Sequence, residues 1–114
     1  MTPRNWRAPL LALMATCVFA APALAGKEDR AKAAIAQAQA KVDLAVKAGV
    51  AENAGDIQAR AQDALTRATK EISDDDEDRA LNAADEAAAL AELAMVTSEA
   101  KKLEAERDTL RAGQ

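Results

Sequence analysis

Histidine and tyrosine are missing from this 114-residue chain, and cysteine, tryptophan and phenylalanine occur once each. Proline occurs three times. Every one of these scarce residues (Trp6, Cys17 and Phe19, with Pro3, Pro9 and Pro22) precedes position 26. Beyond that point the chain has no imidazole base, no thiolate nucleophile, and no imidazole or thiolate ligand for zinc or haem. A disulfide framework is excluded there for the same reason. No aromatic ring is left on which a base or a sugar could stack.

The first 25 residues read as a secretory leader. Arg4 and Arg7 supply positive charge with no acid to offset it, and Ala8 to Ala21 is apolar except for Thr16. Pro22 ends the run, and Ala23-Leu24-Ala25 places small residues at −3 and −1 of a cleavage site before Gly26. An uncleaved anchor is the competing reading, but the run is near the lower limit of the ~20 residues that span a bilayer. Cys17 raises a second alternative, a lipid-anchored envelope component. The triplet before it, Met14-Ala15-Thr16, departs from the Leu-Ala-Gly type that precedes a lipidated cysteine, so Cys17 reads as a small hydrophobe of the leader.

Removal of the leader leaves 13 basic against 19 acidic residues, a formal charge of −6. Nucleic acid and anionic lipid are disfavoured partners, because binding to either rests on Lys and Arg neutralising phosphate. The apolar stripes lack aromatic anchors and a basic flank, which also argues against a helix lying in a membrane surface.

What remains, residues 26–114, is one domain. Alanine fills 25 of its 89 positions, and strong helix formers fill much of the rest. The sequence predicts an all-α fold of three helices. The first runs from about Glu28 to Ala48, with Ile35, Ala38, Val42 and Ala45 down one face and Gly49 as its C-cap. Val50 to Gly55 then reads as a connection. Asp56 is expected to cap a second helix whose apolar side carries Ile57, Ala61, Ala64, Leu65, Ala68 and Ile72. Ser73 or Asp74 is expected to cap a long third helix, from about Asp75 to Leu110, with Leu81, Ala84, Ala88, Ala91 and Met95 as a near-heptad, coiled-coil-like stripe. Short loops make sequential helices antiparallel neighbours, which gives an antiparallel up-down-up three-helix bundle. Large aliphatic residues are few, so alanine must line much of the seam, and the isolated domain should be only marginally stable.

Chemistry-bearing clusters are sparse. Asp74 to Asp78 is an unbroken acidic run of the kind that hard cations favour, but it lacks the glycine of an EF-hand loop and leads directly into helix. Its simpler reading is an acidic helix start that complements the helix dipole. Ser98 and Lys102 sit one helical turn apart, a spacing common on helix surfaces and weak support for a Ser-Lys nucleophile. The chain is therefore expected to be non-enzymatic, with no cofactor and no metal.

At Ala34-Ile35-Ala36-Gln37-Ala38, from Ile57 to Ile72, and at Arg79-Ala80-Leu81-Asn82-Ala83-Ala84, the chain resembles the alanine-rich bacterial envelope proteins grouped as domain of unknown function 4398. The resemblance implies a helical protein of the Gram-negative periplasm, or one associated with the outer membrane. It supplies no activity and no functional residues. The expected role is thus structural or protein-interacting, in the periplasm or outside the cell, with no integral membrane span after processing. The expected contact surface is the third helix, at Leu90, Leu93, Val96, Leu103 and Leu110, and its partner is an envelope protein or a second copy of the chain. The alternative is a periplasmic module that binds cations or small basic ligands at residues 74–78.

Overall fold

Three helices account for nearly all of residues 26–114, the part of the chain that the computed structural model describes: α1 (Lys27–Lys47), α2 (Ala51–Ser73) and α3 (Glu77–Ala112). No strand occurs among the described residues. The expected leader, with Ala23 and Ala25 of its expected cleavage site, and the alternative anchor at Cys17 lie outside them. Gly26, the first described residue, is extended and precedes α1. Glu28 and Asp29 in the first turn and Lys47 in the last complement the dipole of α1.

The two connections use one geometry. At the end of α1, Gly49 takes φ +74°, its N–H donates to the Val46 carbonyl at 3.0 Å, and the Val50 N–H donates to the Ala45 carbonyl at 3.3 Å. At the end of α2, Asp75 takes φ +62°, its N–H donates to the Ile72 carbonyl at 3.2 Å, and the Asp76 N–H donates to the Glu71 carbonyl at 2.9 Å. Each pair satisfies carbonyls that a helix end otherwise leaves free, as a left-handed cap does. The residue after each left-handed position, Val50 or Asp76, is also the N-cap of the next helix. Val50 is buried, whereas the Asp76 carboxylate accepts from the Arg79 N–H at 3.2 Å.

Two cap expectations are corrected here. Asp76, not Ser73 or Asp74, caps α3, because the chain needs Asp75 in the left-handed conformation before it can re-enter a helix. The Ser73 hydroxyl instead donates to the Lys70 carbonyl, and Asp74 accepts from the Lys70 ammonium. The expected loop from Val50 to Gly55 is largely helical. α2 starts at Ala51 and is interrupted at Ala54, whose φ −143° and ψ 37° are not helical. Asp56 therefore follows the interruption by two residues and does not cap the helix.

The core is built mainly from alanine. Among the described residues, thirteen of the seventeen buried apolar ones are alanine, and the others are Val42, Val50, Leu65 and Leu90. On α3 the buried series Ala80, Ala84, Ala87, Ala91, Ala94 and Ser98 advances in alternating steps of four and three, the 3.5-residue period of interlocking helices. The expected stripe was displaced by one position in places: Leu81, Ala88 and Met95 are only partly buried, at the margin of the core. The displacement arises because α3 packs extensively against both other helices, so that its buried face is wide. α1 and α2 touch each other less.

The left-handed positions yield opposite predictions. Gly49→Ala should lower stability by about 1–2 kcal/mol, the conformational cost of an L side chain there. The space around it is open, so no clash adds to that cost. Asp75→Gly should raise the thermal midpoint, because it relieves a similar though smaller cost. Thermal unfolding followed by circular dichroism checks both.

Candidate functional site

The residues expected to form a contact surface divide into two groups. Leu90 is 9% exposed and belongs to the core, beside Ala87, Ala91 and Ala94, which corrects its assignment to the free face. The other four face solvent: Leu93 at 48% exposure, Val96 at 67%, Leu103 at 58% and Leu110 at 70%. Val96, Leu103 and Leu110 recur every seven residues and Leu93 lies three before Val96, so all four fall on one side of α3. From residue 99 to 112 every position of the helix is exposed. This end of α3 holds two large apolar side chains that nothing among the described residues covers, set among charges such as Lys102, Glu106 and Arg107.

The acidic run divides its carboxylates among separate cations. Asp74 accepts from Lys70 at 2.9 Å, Asp76 lies 3.5 Å from the Arg79 guanidinium, and Asp78 lies 3.5 Å from the Lys27 ammonium. Among the described residues, no three acidic side chains converge as a metal-binding group. The turn at Asp75 and the start of α3 point successive carboxylates in different directions. Ser98 is buried and its hydroxyl makes no hydrogen bond, so it forms no pair with Lys102, which is exposed.

The grooves of the surface are open to solvent. One, of about 310 Å³, lies between α2 and α3 and is lined by Arg67, Glu71, Arg79 and Glu86. Arg67 donates to Glu86 at 2.9 Å across it. That hydrogen bond, reinforced by the charge of Glu86, raises the Arg67 pKa above its ordinary value. A second groove, of about 360 Å³, runs along the interruption of α2, where Asn53, Ala54 and Ile57 lie opposite Thr97 and Lys101.

One feature has no counterpart in the sequence-based expectations. Gln58 is 5% exposed and Ser98 is 2% exposed, and neither the Gln58 amide nor the Ser98 hydroxyl has a hydrogen-bond partner among the described residues. Both occupy positions where the heptad pattern calls for an apolar residue. Gln58 lies one turn after Ala54 and one before Ala61, and that 3–4 spacing is the signal that marks it as inward-facing.

Comparison with family models, with curated proteins and with solved structures finds no match.

The ion pair at the end of α2 makes a testable case. The hydrogen bond from Lys70 to Asp74, then the charge of Asp74, raises the Lys70 pKa above 10.5. A pKa raised in the folded state means that this pair's contribution is fully present below pH 10.5 and is lost as the pH climbs through the folded value. The contribution is small because the pair is exposed. Titration of the Lys70 side chain by NMR should place its midpoint above the ordinary lysine value, and Asp74→Asn should restore it.

Proposed function

We propose that this chain is an exported, non-enzymatic three-helix protein of the bacterial cell envelope, whose task is to hold another protein helix against the free side of α3. The observation that carries this reading is the exposed apolar series Leu93, Val96, Leu103 and Leu110 on a helix that continues past the rest of the bundle. An apolar residue recurring every seven positions suits the flank of a neighbouring helix. Among the described residues no helix is long and apolar enough to cross a membrane, which fits a role outside the bilayer. The leader pattern up to Ala25 and the likeness to the domain of unknown function 4398 proteins favour the periplasm, with outer-membrane association as a variant.

The reading includes an up-down-up order of the helices. Lys27 pairs with Asp78 and Lys41 with Glu92, a constant offset of 51 residues that suits α1 and α3 running in the same direction. The short connections on either side of α2 suit its running the opposite way. In that arrangement α3, at 36 residues, outlasts α1 at 21 and α2 at 23. The runner-up, a cation site at residues 74–78, has less support, since three of those carboxylates already face Lys70, Arg79 and Lys27.

Crosslinking in intact cells tests the proposal. The protein should be recovered in a crosslinked complex with a mature N-terminus at Gly26. Replacing Leu103 and Leu110 together by lysine should remove that complex and leave helix content unchanged by circular dichroism. A complex that survives the double substitution would move the contact away from α3.

A further inference from the structure

The end of the bundle where α1 turns into α2 combines four features. First, it holds the unpartnered amide of Gln58 and the unpartnered hydroxyl of Ser98, both more than nine-tenths buried. A buried polar group without a partner bears most of its desolvation cost uncompensated. Second, α2 is interrupted there, at Ala54, one turn before Gln58. Third, the open groove along that interruption separates the start of α2 from Thr97 and Lys101 of α3. Fourth, among the described residues the ion pairs that join one helix to another are Lys27–Asp78, Lys41–Glu92 and Arg67–Glu86, and none reaches α3 beyond Glu92.

The opposite end shares only the open groove, and there an ion pair spans it. Ala61, Ala64, Leu65 and Ala68 of α2 pack with Ala83, Ala84, Ala87 and Ala91 of α3 in an apolar cluster that also takes in Ala45, Val50, Ala54 and Ala94. The Arg67–Glu86 pair ties these helices together across the groove above it.

We propose that the α1–α2 corner, from Ala45 to Gln58, is a separately opening unit that detaches from α3 while α2 beyond Ala61 and the first half of α3 stay packed. Proteins open in contiguous units whose free energies differ, and the least stable units are those with broken backbone ladders and poorly satisfied cores. The lost packing is confined to one turn of α1, the residues before Ala61 and the stretch of α3 around Ala94 and Ser98. Opening bares that stretch, which is continuous with the already uncovered residues 99–112. The corner thereby sets how much of α3 a second helix can reach. The consequence for binding rests on the function proposed above, but the opening itself does not.

Native-state amide hydrogen exchange on the purified protein tests the opening. Amides of residues 45–58 should exchange at least about tenfold faster than those of residues 61–72 and 80–91. Gln58→Leu should slow exchange at the corner by about tenfold, the range expected when unpartnered polar atoms leave a core, and Ser98→Ala should act in the same direction. Ala68→Gly, placed outside the corner, should speed exchange of residues 61–72 and 80–91 by about threefold and leave the corner unchanged. Equal protection of corner and core would overturn the proposal. So would a corner that follows Ala68→Gly in step with the rest, or one that responds to neither Gln58→Leu nor Ser98→Ala. A separately opening corner in a protein that forms no crosslinked complex would leave the device standing and remove only its use in partner binding.

Discussion

Alanine at the seam is the constraint on which the rest of the structure depends. A methyl group removes little apolar surface from water, so each contact between these helices contributes little, and the packing must be repeated over many turns. The heptad series from Ala80 to Ala94 is that repetition. Small side chains also allow close approach of the backbones, and then an inward-facing position has room for only a small side chain. Leu65 and Leu90 are the large exceptions, and both retain slight exposure at the edge of the core. Gln58 and Ser98 occupy such inward positions as well. They bring polar atoms where the pattern supplies few groups to receive them.

The helices themselves were legible in the sequence because composition and punctuation agreed. α1 and α3 fall within about two residues of their expected limits, since Gly49 and the acidic run mark helix boundaries by chemistry that few other residues supply. The start of α2 was not legible. Asn53 and Gly55 look like a loop, yet Val50 is drawn into the core and the helix begins directly after it. Tertiary burial of one valine outweighed the local preference of five residues. The cap at Asp76 was hidden for a different reason: within a run of five acids, residue type does not say which one enters the left-handed region.

The candidate site was half legible. Leu93, Val96, Leu103 and Leu110 were marked by being more apolar than a solvent-facing surface requires, and they are exposed. Leu90 belongs to the same chemical class but lies inside, because α3 meets two helices and so buries a broader arc than a single stripe. Gln58 escaped notice because a glutamine in an alanine-rich helix looks like a surface residue. Its position, not its type, places it inward.

The unbroken run of α3 has a mechanical consequence. A helix rises about 1.5 Å per residue, so residues 99–112 extend some 20 Å without a hinge glycine or a proline. On the proposed function, a partner seated at Leu110 would be held at a set reach and azimuth by a stiff strut. Inserting or deleting one residue in that strut would swing the Leu110 side chain by about 100° around its axis, so its length is a gauge as much as a support.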